Sequence, residues 1–408
     1  MNRIVIVGAS LAGLRTAEAL RQLGFDGTLT LLGSEVHLPY DRPPLSKQVL
    51  AGSWEADRIW LRERDSFAKL DLDLRLGTTA TALDTSRRRV QLAGGDEVTY
   101  DGLVIATGAT PRTLPGQPPG LDGLHVLRTL EDCLAIREGI DRGARVVVVG
   151  AGFIGAEVAA TARSRGCEVT VLEALPVPLS RGLGPVMGAA CGALHTDHGV
   201  DLRCNVGVAG IEAGREGRGR VAGVRLQSGE TLPAELVVVG IGVSPVTGWL
   251  EGSGLQLNDG VVCDECCAAG PPGVFAAGDV TRWPNPLFGE EMRLEHWTNA
   301  VEQGTHVAQN LLAAQAGEAP EPFAPVPYFW SDQYETKIQF VGRSGPDDDV
   351  EVVHGSVDSR KFVALYGRAH RLVGALGFSM PRLLMGYRAL IAERASWEQA
   401  LEHAASIG

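Results

Sequence analysis

The stretch VVVGAGFIGAEV, Val147 to Val158, sets Gly150, Gly152 and Gly155 between an apolar run and a helical pattern. A strand that runs into G-x-G-x-x-G and opens a helix is the mark of a dinucleotide-binding βαβ unit. The sequence continues as such a unit should, with a helix to Arg165, a strand from Glu168 to Leu172, and Glu173 standing 18 residues past Gly155. An acid at that strand end suits the hydroxyls of a ribose.

Nearly the same plan opens the chain. VIVGASLAGL, Val5 to Leu14, overlaps the end of a strand, Arg3 to Val7, and keeps Gly8 and Gly13 but has Ser10 where the middle glycine belongs. The next strand, Thr28 to Leu32, leads to Glu35, 22 residues past Gly13. The middle glycine lets backbone approach the pyrophosphate, while the helix N-terminus offers N–H donors and positive potential. A serine adds only a small side chain there, and its hydroxyl can donate to a phosphate oxygen. That change is tolerable for a ligand held by many other contacts, which fits a permanently bound FAD better than an exchanging nicotinamide nucleotide. Two dinucleotides, or one used twice, are therefore expected, with FAD in the first loop.

Two further stretches order the domains. LVIATGATPR, Leu103 to Arg112, is a strand ending at Thr107 and Gly108, where the chain leaves the first nucleotide domain. GVFAAGDV, Gly273 to Val280, is a strand ending at Gly278 and Asp279, which can offer a carboxylate to a ribityl hydroxyl and backbone N–H groups to a phosphate. GEAPEPFAPVP, Gly317 to Pro327, reads as a linker. The expected fold is α/β, with two Rossmann-like domains, the NADH domain inserted in the FAD domain, and a C-terminal α+β domain. The expected boundaries are 1–110 and 240–320 for FAD, 111–239 for NADH, and 321–408 for the last domain.

Composition narrows the function classes. A net charge of −12 argues against nonspecific nucleic-acid binding. No apolar run approaches the ~20 residues that a membrane span needs. The N-terminus enters a strand at once, so a cytoplasmic protein is expected. Seven cysteines, an odd number scattered without a framework, fit a reducing compartment. None precedes Cys133, and the nine histidines show no metal-ligand spacing. Cys263, Cys266 and Cys267 have C-x-x-C spacing, but no second pair or histidine completes a zinc site, so no metal is expected. The acidic run Asp347 to Asp349 follows Gly345 and Pro346 and reads as a solvated turn. GREGRGR, Gly214 to Arg220, reads as a hairpin-like loop.

With these motifs in view, the sequence resembles the NADH-dependent ferredoxin reductases that serve bacterial cytochromes P450 and aromatic-ring dioxygenases. The resemblance covers essentially the whole chain and rests on YDRPPLSK at Tyr40 to Lys47, GAGFIGAEVAA at Gly150 to Ala160, FAAGDV at Phe275 to Val280, EHWTNAVEQG at Glu295 to Gly304 and PYFWSDQY at Pro327 to Tyr334. It implies an iron-sulfur ferredoxin as partner and, through it, a P450 or ring-hydroxylating oxygenase. It implies that FAD contacts Gly8, Ser10, Leu11, Ala12, Gly13, Glu35, Arg42, Lys47, Thr107, Gly108, Gly278, Asp279, Trp297 and Trp330. It implies that NADH contacts Gly150, Gly152, Phe153, Ile154, Gly155, Glu157, Glu173, Arg181 and Gly242, with Glu157 on the carboxamide. Phe153, Glu157 and Lys47 would line the hydride pocket, where no catalytic acid, base or nucleophile is needed. The absence of any early cysteine separates the chain from disulfide reductases of the same fold. A different class stays open: a slow NADH-binding signalling flavoprotein resembling the apoptosis-inducing factors, which share both glycine loops.

Overall fold

The strand Arg3–Val7 is buried along four of its five residues, and such a continuous apolar run belongs in the middle of a parallel sheet covered on both faces. In the computed structural model, which describes residues 1–118, 120–214 and 219–407, it pairs in parallel with Thr28–Leu32 on one side and Gly102–Ile105 on the other. Leu72–Arg75 and Val274–Ala276 complete five parallel strands. The insertion is visible in this sheet: Ile105 lies opposite Ala276, with the intervening chain folded elsewhere. The core beneath includes Ile4, Ile6, Leu29, Leu31, Val104 and Phe275.

The second glycine stretch makes a sheet of the same kind. Val146–Val149 is fully buried and lies between Val169–Leu172 and Leu236–Val239, with Asp201–Arg203 and Leu124–His125 at the edges, all parallel. In both sheets the glycine loop leaves the carboxyl end of a strand whose two neighbours are reached in opposite directions. That switch point is where such sheets bind ligands.

Tyr328–Gln333, Thr336–Gly342, Arg371–Phe378, Lys361–Arg368 and Asp349–Ser356 form an antiparallel five-stranded sheet in that spatial order, followed by helices Pro381–Ala392 and Trp397–Ile407. The architecture is thus α/β with two Rossmann-type sheets and a C-terminal α+β part. The chain divides into two compact units, one of 1–41, 59–110 and 244–327, the other of 42–58, 111–243 and 328–408. The segment 42–58 therefore groups with the second glycine loop. No helix among the described residues is long and apolar enough to cross a membrane. Residues 215–218 of the GREGRGR loop lie outside the described residues.

Candidate functional site

In the first unit the fold itself demands two of the glycines. Gly8 has φ 121°, and a Cβ there would stand 2.0 Å from the Ala106 carbonyl oxygen; a Cβ at Gly13 would stand 1.9 Å from the Gly8 oxygen. Both positions let the loop and the helix Leu11–Gln22 close onto the strands. Ser10 is the N-cap, in extended conformation, and its hydroxyl makes no capping bond. The first-turn N–H groups, including those of Ala12 and Gly13, therefore face outward without a side-chain acceptor, at the positive end of the helix dipole. That is a fit for a pyrophosphate.

Glu35, at the end of the following strand, accepts a hydrogen bond of 2.5 Å from the Tyr40 hydroxyl, which orients the carboxylate. Trp297 donates its indole N–H to Asp41 Oδ1 at 2.7 Å, so its ring is pinned at the start of the helix Trp297–Ala316. Other expected contacts are engaged within the protein. The Thr107 hydroxyl donates to the Val246 carbonyl at 2.9 Å, and Gly108 accepts from the Val246 N–H. The Gly278 N–H, expected to face a phosphate, donates instead to Gln303 Oε1 at 2.8 Å. The Asp279 carbonyl accepts from Arg293. Only the tertiary approach of the helix Trp297–Ala316 reveals the Gln303 contact.

In the second unit Gly150 and Gly155 repeat the roles of Gly8 and Gly13. Their Cβ atoms would meet Gly240 O at 2.4 Å and Gly150 O at 2.0 Å. Gly152 differs: it has φ −74°, and its nearest atom would be 4.0 Å from an added Cβ. The protein does not require a glycine there, so the open space over the helix N-terminus is a cradle that only a ligand would use. Glu173 accepts from the Ala151 N–H at 2.8 Å and from the Leu175 N–H at 2.9 Å, one on each oxygen. The carboxylate is thereby fixed beside the glycine loop with lone pairs to spare for hydroxyls. Ile154 is half exposed on the loop's helix, and Gly242 has φ 96° with open space around it. Arg181 is exposed near the start of the helix Ser180–Asp197. Phe153 packs edge-on against Phe329 with ring centres 4.6 Å apart.

Glu157, expected on the carboxamide, is already engaged within the second unit. Its carboxylate is 3% exposed and accepts from Lys47 Nζ at 2.6 Å, Ser46 Oγ at 2.5 Å and Ser331 Oγ at 2.7 Å. The short helical turn Pro43–Ser46 brings Ser46 and Lys47 onto the helix Phe153–Ser164, where the Thr161 hydroxyl also holds the Ser46 carbonyl at 2.8 Å. Paired prolines fix two φ angles of that turn. A buried carboxylate is tolerated because a cation and two hydroxyls replace its water. Arg42, from the same segment, donates to the Arg128 carbonyl at 2.5 Å. Trp330 stacks on Tyr328 with ring centres 6.1 Å apart.

Of the three close cysteines, Cys263 and Cys267 are buried and Cys266 is partly exposed. Burial pushes the Cys263 and Cys267 thiols well above their ordinary range, and Gln303 donates to Cys267 Sγ at 3.3 Å. All seven cysteines are free, and no group of metal-ligating side chains occurs among the described residues. The acidic turn is corrected at one residue: Asp347 and Asp349 are exposed, but the Asp348 side chain is only 1% exposed, clamped by Arg368 Nε at 2.6 Å and by the Gly345 N–H at 2.6 Å. Buried charge is stable there because both carboxylate oxygens have donors. Tyr40 and Ser46 lie in YDRPPLSK, Gln303 in EHWTNAVEQG and Ser331 in PYFWSDQY, but only their tertiary partners give these four side chains a role.

The sequence matches the pyridine nucleotide-disulphide oxidoreductase family over residues 2–304 and a reductase C-terminal family over 328–406. It is 39% identical over 389 residues to rhodocoxin reductase of Rhodococcus erythropolis, covering 95% of this chain and 89% of that protein. It is 38% identical to the ferredoxin–NAD(+) reductase component of the anthranilate 1,2-dioxygenase system of Burkholderia cepacia, covering 95% and 93%. The structure superposes on the reductase of a crystallised covalent putidaredoxin reductase–putidaredoxin complex with a TM-score of 0.92 at 34% identity, over 100% of this chain and 98% of that one.

Proposed function

We infer that this chain, which belongs to the pyridine nucleotide-disulphide oxidoreductase family, is an FAD-containing, NADH-dependent ferredoxin reductase serving a P450 or a ring-hydroxylating dioxygenase. The carrying observation is the similarity along both family regions to proteins named as ferredoxin reductases, one of them solved in covalent complex with putidaredoxin. When bound, FAD supplies the conversion of the two-electron hydride of NADH into single electrons for the ferredoxin.

The residues divide the labour by unit. Gly8, Ser10, Leu11, Ala12 and Gly13 would hold the FAD pyrophosphate, with Glu35 on its ribose and Trp297 beside its ring system. Gly150, Gly152 and Gly155 would hold the NADH pyrophosphate, with Glu173 on the adenosine ribose, Arg181 near it and Phe153 lining the pocket. Glu157 and Lys47 act together: the pair anchors the segment 42–58 on the helix Phe153–Ser164, and Lys47 keeps a positive charge there. Trp330 would serve the second half-reaction. The same reading puts the protein in the cytoplasm, where NADH is supplied and where seven free cysteines stay reduced.

The test is NADH-dependent reduction of cytochrome c with and without an added ferredoxin. Fast reduction that requires the ferredoxin supports the reading. Tight NADH binding with slow turnover that ferredoxin does not raise would favour the signalling flavoprotein instead.

A further inference from the structure

Within the second unit the nucleotide loop is held from the C-terminal sheet, and we propose that the hydroxyls of Ser344 and Tyr366 are positioning residues for NADH recognition. The proposal rests on the reading that the loop Gly150–Gly155 takes NADH.

The helix Ser180–Asp197 is broken near its start. Gly184 has φ 73° and ψ 174°, a conformation open essentially to glycine alone, and Pro185 has no N–H to offer the preceding turn. A helical turn that ends leaves its last carbonyls without donors. The two carbonyls just before the break accept from the C-terminal domain: Ser344 Oγ donates to Gly182 O at 2.7 Å, and Tyr366 Oη donates to Leu183 O at 2.7 Å. Tyr366 is fully buried on the strand Lys361–Arg368. Ser344 sits in the loop that Asp348 and Arg368 brace from inside.

The turn held in this way bears on the nucleotide loop and its helix at two points. The Leu179 N–H donates to the Ala151 carbonyl at 3.1 Å, and the N–H of that same Ala151 is the one on Glu173. Gly182 lies under the Phe153 ring, which an added Cβ would approach to 3.1 Å. Arg181 stands between them, exposed. Two hydroxyls from the last domain thus set where Arg181, Phe153 and Glu173 meet the nucleotide. Removing them takes a side-chain donor from each carbonyl and loosens the turn, so the loss falls on nucleotide binding and not on the chemical step.

The experiment uses FAD-loaded Ser344→Ala, Tyr366→Phe and the double variant, which keep the side-chain volume nearly intact. The Kd for NAD+ and the KM and kcat for NADH with ferricyanide are measured beside FAD content and Tm. Each single change should raise Kd and KM about fivefold and the double more than tenfold, with kcat within about twofold; fivefold is ~1 kcal/mol, the scale of one hydrogen bond. Ser344→Thr, which keeps the hydroxyl, should restore the parental KM. A double variant with parental Kd and KM, or a fall in Tm with no change in Kd, overturns the proposal. A parent that binds no NAD+ overturns both this and the assignment of the loop. A parent that binds NAD+ yet passes no electron to ferredoxin overturns the functional reading alone, and the Kd comparison still decides the role of the two hydroxyls.

Discussion

Replacing Glu173 by Gln should narrow the preference for NADH over NADPH. The carboxylate has one backbone donor on each oxygen, Ala151 N–H at 2.8 Å and Leu175 N–H at 2.9 Å. A glutamine offers one oxygen and one NH2, so one of these donors would face an amide instead of an acceptor. Leaving such a group without a partner costs about 1–2 kcal/mol, which should lower kcat/KM for both nucleotides by roughly tenfold. For NADPH a second effect runs the other way. A 2′-phosphate of about −1.5 to −2 charge, brought within ~5 Å of the parental carboxylate, meets a repulsion on the order of 2 kcal/mol after solvent screening. Arg181, exposed near the same loop, offsets part of it. The parent should therefore favour NADH by at least about tenfold, since 1.4 kcal/mol is one decade. The variant should lose most of that preference. The assay is kcat/KM for each nucleotide with ferricyanide at fixed FAD content. A parent that uses both nucleotides equally, or a variant whose ratio is unchanged, refutes the role given to Glu173.

Three further outcomes are expected. Gly152→Ala should raise KM for NADH more than about tenfold while shifting Tm by less than ~3 °C, because its Cβ meets nothing in the protein; a collapse in Tm would show the glycine to be structural. Lys47→Met should destabilise by about 3 kcal/mol, since it leaves the carboxylate of Glu157, 3% exposed, without its cation; thermal unfolding indistinguishable from the parent would contradict this. His195 is buried beside the Tyr334 hydroxyl, and burial pushes its pKa down to about 4. The folded imidazole stays neutral where the unfolded one, with an ordinary pKa near 6.5, takes up a proton, so stability falls as pH drops from 7 toward 4, by ~2 kcal/mol at pH 5. His195→Gln should flatten the Tm-versus-pH curve over that range, and an unaltered slope would place the titration elsewhere.

Both glycine fingerprints, the acids that follow them, the inserted topology and the nature of the two nucleotides were legible in the sequence. These features are local: an apolar run, a positive-φ glycine and a helix start act within a few residues, as Gly8 with Gly13 and Gly150 with Gly155 show. Which polar groups are already engaged depended instead on elements distant in the chain. Glu157 looked available on its helix face, yet its partners Lys47 and Ser331 stand 110 and 174 positions away. Gly278 lost its N–H to Gln303, 25 positions on, and Asp348 in an apparently solvated turn proved buried against Arg368. Local sequence fixes the backbone path, whereas the fate of a buried charge or carbonyl depends on which distant element brings it a donor. The packing of the C-terminal strands against the turn Ser180–Leu183 is of that second kind, and no spacing in the sequence encodes it.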